Sequence, residues 1–112
     1  MRLLNIAIPS RNFEAAVGFY RDILGLCLCH EALGCCYLDA GGTNIAIHVA
    51  GEGSDFAPTG HGLYLDLAVP DFEQTRQRLL EAGILIRHEW TDDTGHVIEV
   101  NDPDGNLVEI VG

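Results

Sequence analysis

"LLNIAIPSRNFEAAVGFYRDILG", Leu3 to Gly25, changes its periodicity halfway along. From 3 to 9 the apolar residues alternate around Asn5 and Ala7, which reads as a strand. Then Phe13, Ala16, Val17, Tyr20 and Leu24 recur at helical spacing, with Ser10 or Asn12 placed to cap the start and Gly25 to end it. The order returns in "LYLDLAVPDFEQTRQRLLEAG", residues 63–83. An alternating strand again precedes a helix, with Asp71 as N-cap, Gln74 in capping-box position, and Phe72, Thr75, Leu79 and Ala82 as its apolar face before Gly83. Even the helix openings match, Phe13-Glu14 against Phe72-Glu73.

Three short strand candidates follow each helix: 26–31, 35–40 and 44–50, then 84–91, 95–101 and 106–111. Turns at Gly34, "DAGG" and "DPDG" separate them, the last with Pro presetting one dihedral and Gly accepting positive φ. The class is therefore α+β, built from two tandem βαβββ modules. Module 1 is expected over 1–50, a Gly-, Ser- and Pro-bearing linker over 51–61, and module 2 over 62–112, all within a single domain. Duplicated units of this kind are expected to pack side by side and share a surface.

Composition narrows the partners. The net charge of −11 argues against nucleic acid, whose phosphates need clustered Lys and Arg. No apolar stretch is long enough for a membrane span, and the start lacks the pattern of a secretion signal, so the expected location is cytoplasmic. The acidity reads either as solubility or as long-range attraction of a cationic ligand. Cys27, Cys29, Cys35 and Cys36 lack C-x-x-C spacing, and adjacent Cys35 and Cys36 face opposite ways in a strand. They read as reduced, small apolar residues.

Alternation separates two faces in each sheet. Leu4, Ile6 and Ile8, then Ile45, Ile47 and Val49, then Leu63, Leu65, Leu67 and Val69, and finally Val108 and Ile110 form apolar rows for the helices to cover. Asn5, Ala7, Ala46, His48, Tyr64, Asp66, Ala68 and Glu109 point the other way. Such a face either meets solvent or lines a cleft, where small side chains beside few polar groups leave room for a ligand. His48 and Glu109 are the acid–base candidates, as an oriented pair with His48 as general base or as a structural pair. Asp66, Glu99 and Trp90 are ligand-binding candidates, by charge for the acids and by stacking for Trp90. Exposed-edge roles for the acids and a packing role for the ring are the ordinary alternatives. His30, His88 and His96 carry no motif, and no phosphate loop, dinucleotide fingerprint or Ser-His-Asp pattern is present.

Two stretches, "FYRDILGL" at Phe19–Leu26 and "DPDGNLVEI" at Asp102–Ile110, together with the doubled module order, resemble the vicinal oxygen chelate superfamily of glyoxalases, extradiol dioxygenases and bleomycin resistance proteins. The resemblance covers essentially the whole chain. It implies curved sheets around a shared cleft, a polar row facing that cleft, and a homodimer. In metal-dependent relatives the ligands come from the first and last strands of each module, which carries over to Asn5, His48, Tyr64 and Glu109. Of these only His48 and Glu109 are ordinary metal ligands, while Asn5 and Tyr64 supply an amide and a phenol. His61 precedes the fifth-strand position, and Asp66 lies one rung beyond it. The resemblance thus implies one of two functions. One is metal-free binding of a cationic or aromatic small molecule, with Asn5, Tyr64, Asp66, Glu99 and Trp90 lining the site, as in bleomycin-resistance sequestration. The other is a lyase, isomerase or dioxygenase in which His48 and Glu109 hold Ni, Zn, Mn or Fe. The sparse imidazoles and the acidic balance favour the first.

Overall fold

A computed structural model describes residues 1–50, 64–93 and 95–112. The chain divides into two compact units, Met1–Pro58 and Thr59–Gly112. The expected linker 51–61 and His61 lie outside the described residues.

In the first unit, β1 (Asn5–Ser10) leads into α1 (Phe13–Gly18), followed by β2 (Cys27–Ala32), β3 (Cys35–Asp39) and β4 (Asn44–Val49). The sheet order is β1-β4-β3-β2, with β1 parallel to β4 and the other pairs antiparallel. The second unit repeats this with β5 (Tyr64–Ala68), α2 (Phe72–Glu81), β6 (His88–Asp92), β7 (Gly95–Asn101) and β8 (Leu107–Val111), in the order β5-β8-β7-β6. The expected βαβββ duplication is the observed architecture. Among the described residues no helix is long and apolar enough to cross a membrane.

Local chemistry explains the helix ends. Ser10 is fully buried, and its hydroxyl accepts from the Asn12 N–H at 3.1 Å, fixing the entry to α1. The Asp71 carboxylate accepts from the Gln74 N–H at 3.1 Å, as the N-cap expectation required. Gly83, at φ 74°, takes the left-handed conformation that closes α2, while the Ile84 N–H donates back to Leu79. The "DPDG" turn is tied by Asp102, whose carboxylate accepts from the backbone N–H of Asp104 and from both the backbone and side chain of Asn106, at 2.8–2.9 Å.

Burial follows the alternation in β1, β5 and β8, but in β3, β4 and β7 it extends to both faces: Cys35 is buried beside Cys36, Val97 beside Ile98, and Ala46, expected on the face away from the helices, is buried between Ile45 and Ile47. Ile8, Leu38, Ile45 and Ile47 are buried in the first unit with Ala16, Val17, Phe19, Tyr20 and Leu24 of the helical segment. Leu65, Ile98, Val100, Val108 and Ile110 are buried in the second with Thr75 and Leu79 of α2.

Several expectations are corrected. The helical segment after α1 is not α throughout. Phe19–Ile23 is a π turn, closed by the Leu24 N–H on the Phe19 carbonyl at 2.9 Å. Residues 84–87 are not strand, because β6 begins only at His88. Leu4 and Val49, expected in apolar rows, are more than half exposed at 58% and 51%, and Ala82 at the end of α2 is exposed as well. Each lies at or beyond the end of its element, where the row has run past its cover.

Candidate functional site

Strand register settles which side chains share a face, since residues paired across a ladder point the same way. In the second unit Asp66 pairs with Glu109, Glu109 with Glu99, and Glu99 with His88. Four titratable side chains thus stand on one rung across four strands, each roughly 4.8 Å from the next along the sheet. The alternation in β8, with Val108 and Ile110 buried and Leu107, Glu109 and Val111 half-buried, puts this rung on the face away from the core. Trp90 and Tyr64 lie on the same face, one rung to either side.

Tyr64 donates its hydroxyl to the Glu109 carboxylate. That bond, with desolvation next, pushes the phenol pKa up to about 12, so the ring stays neutral and works as a donor. The indole N–H of Trp90 donates to Asp92 at 3.0 Å, which holds the ring beside the rung. Arg87 donates to the Asn101 side chain at 3.1 Å. Among the described residues no Lys or Arg forms an ion pair with Asp66, Glu99 or Glu109. Like charges directly opposite one another in a sheet are unfavourable.

The first unit offers a different surface. Asn5 and His48 share the face away from the core but stand four residues apart in register, because Asn5 pairs with Asn44 and His48 with Pro9. His48 instead meets Cys35, Nε2 to Sγ at 3.2 Å. Tyr37 lies edge-on to the His48 ring at 6.4 Å and tilted against His30 at 5.7 Å. A hydrogen bond to Cys35 raises the Tyr37 phenol pKa. All four thiols are free; Cys27 and Cys29 are exposed, Cys35 and Cys36 buried.

The internal repeat tests the metal positions implied by the resemblance. Tyr64 pairs with Leu107, so Glu109 lies two residues beyond the partner of Tyr64. The same step in the first unit, from Asn5 through Asn44, ends on Ala46 and not on His48. His48 occupies the place of Val111. The equivalent positions therefore bear an amide, a methyl, a neutral phenol and one carboxylate. A divalent ion of this kind needs several imidazoles or carboxylates converging at about 2 Å, so these positions do not fit one. Among the described residues no three His, Cys, Asp or Glu side chains converge for a metal. The acidic rung is spread along a line across four strands.

His88 is the rung member that carries no sequence motif. The short connection between β6 and β7 contained the missing signal, because it fixes the hairpin register and with it the pairing of His88 with Glu99.

A sequence model of the Glyoxalase/Bleomycin resistance protein/Dioxygenase superfamily matches residues 2–110. No curated protein matches the chain. Among solved structures, a lactoylglutathione lyase from Agrobacterium tumefaciens is 20% identical, with 97% of this chain and 91% of that one covered at a TM-score of 0.74. A virulence protein from Salmonella typhimurium is 25% identical over 99% and 95%, at 0.71. A glyoxalase/bleomycin resistance protein/dioxygenase from Alicyclobacillus acidocaldarius is 21% identical over 97% and 89%, at 0.69.

Proposed function

Because the chain belongs to the glyoxalase/bleomycin resistance protein/dioxygenase superfamily, we propose that it sequesters a small organic cation with an aromatic portion, without a metal and without turnover. The site is the open face of the second module's sheet. Asp66, Glu99 and Glu109 receive the charge, Trp90 stacks on the flat portion, and Tyr64 holds Glu109 in place. The observation that carries this reading is the single rung of three carboxylates without a Lys or Arg partner among the described residues.

A thermal-shift screen against aromatic ammonium and guanidinium compounds, run beside Ni, Zn, Mn and Fe, tests it. A cation present at 100 times its Kd should stabilise the fold by about 2.7 kcal/mol. Glu99→Gln should reduce that shift, and a chelator should leave it intact. A melting point that moves with a metal and with none of the cations would overturn the reading.

One observation favours a second reading. Glu109 occupies the last-strand position from which metal-dependent relatives draw a carboxylate ligand, and the resemblance includes lyases, isomerases and oxygenases. In that case Glu109 would supply the carboxylate. Elemental analysis of gently purified protein distinguishes the two, since this reading requires a stoichiometric divalent metal.

A further inference from the structure

"FYRDILGL", one of the two stretches that carry the family resemblance, has no part in the rung. It lies in the other unit and includes the π turn at Phe19–Ile23. Segments of π geometry are rare and occur frequently at functional sites, because the extra residue per turn widens the helix and redirects its side chains. Beside this one is a cavity of about 370 Å³, lined by Phe13, Glu14, Val17, Arg21, Glu31 and Cys36. Its volume is within the range of small-molecule pockets, roughly 300–1,000 Å³, but it is an open depression and not an enclosed cavity.

The lining divides by chemistry. Val17 and Cys36 are buried and Phe13 half-buried, which gives an apolar floor. Burial, followed by the nearby Glu31, raises the Cys36 pKa, so its thiol is neutral and belongs to that floor. At the rim Arg21 is committed to Asp22 through two hydrogen bonds, at 2.8 and 3.1 Å. Glu31 accepts a long S–H bond from Cys36 at 3.8 Å. Glu14 and Glu31 therefore leave the rim net negative above an apolar base.

We propose that this cavity between α1, the π turn and the β2–β3 edge is a second binding site, for an ammonium compound with a compact apolar body. The apolar body rests on Phe13, Val17 and Cys36, and the ammonium group lies at the rim with Glu14 and Glu31. The site is independent of the acidic rung and stands whether or not the rung binds a cation.

Backbone amide NMR titration of the full chain tests it, with 2-phenylethylammonium as probe and neutral 2-phenylethanol as control. The ammonium should give saturable shifts over Phe13–Arg21 and Glu31–Cys36. Its affinity should fall about five-fold in a Glu14→Gln/Glu31→Gln variant, whose substitutions are exposed and leave the core intact. Equal binding of alcohol and ammonium, shifts confined to β5–β8, or no saturable shift at these residues would overturn the proposal. A cation-induced thermal shift that persists unweakened in Glu99→Gln, with these NMR shifts unchanged, would overturn the reading of the rung and leave this one standing.

Discussion

Tyr64 and Glu109 are the residue pair on which the proposed site most depends. The pair can be tested without a ligand. The Tyr64 phenol is held up to about 12 chiefly by its hydrogen bond to Glu109, against about 10 for an unperturbed tyrosine. A raised pKa means that folding favours the protonated form. The stabilisation is therefore complete below about pH 10 and is lost as pH rises through about 12. Following the Tyr64 ring by NMR should show late ionisation in the native protein, and Glu109→Gln should bring it back toward the ordinary value. An unchanged titration in the variant would mean that the bond does not orient Glu109. At this scale much was legible. Alternation alone put Asn5, His48, Tyr64, Asp66 and Glu109 on faces away from the core. It did not reveal which residues stand opposite one another, because pairing is set between strands. His88 was missed for that reason, and so was the contact between His48 and Cys35.

Each helix was legible at the scale of elements, but for different reasons. α2 has an N-cap, a regular apolar stripe and a glycine stop, and its bounds follow directly from them. Two further contacts tie it to the sheet, and a third links their partners. Phe72 stacks on His96 at 4.5 Å, Arg76 pairs with Glu89 at 3.0 Å, and His96 lies 3.1 Å from the same carboxylate. Leu79, fully buried on the stripe, carries most of the burial. Leu79→Ala should cost about 2–5 kcal/mol in denaturant unfolding, through lost transfer energy and the cavity left behind. Leu80→Ala, one position round and 46% exposed, should stay within about 0.5 kcal/mol of the native protein. Comparable losses from both would mean that α2 is not seated as described. In the helical segment the same stripe pattern gave Ala16, Val17, Tyr20 and Leu24, all buried, but it included Phe13, which is half-buried, and omitted Phe19, which is buried; nothing in it distinguishes an i−4 bond from the i−5 bond that makes Phe19–Ile23 a π turn. Residues 84–87 failed for another reason. "ILIR" has the apolar content of a strand, but strand needs a partner, and the ladder of β7 takes up its neighbour only at His88.

For the whole molecule the open question is what a charge of −11 does. As a guard of solubility it would leave binding kinetics indifferent to salt, apart from ordinary screening at the contact itself. As a steering field it would act before contact, over distances set by the Debye length. That length is about 30 Å at 0.01 M salt and about 3 Å at 1 M. The structure gives the field a local focus, since three of the carboxylates stand together on one rung without a basic partner among the described residues. Steering appears in the association rate, whereas stacking on Trp90 and short-range contact to the carboxylates govern dissociation. For an organic cation identified by the thermal-shift screen, stopped-flow association should therefore slow by about ten-fold or more between those two salt concentrations, with the dissociation rate changing much less. Glu99→Gln should raise the dissociation rate and remove only a small part of the salt dependence, because it deletes one charge of many. The opposite partition, with association insensitive to salt and dissociation strongly affected, would place the acidity at the contact alone and reduce the remaining charge to a solubility role.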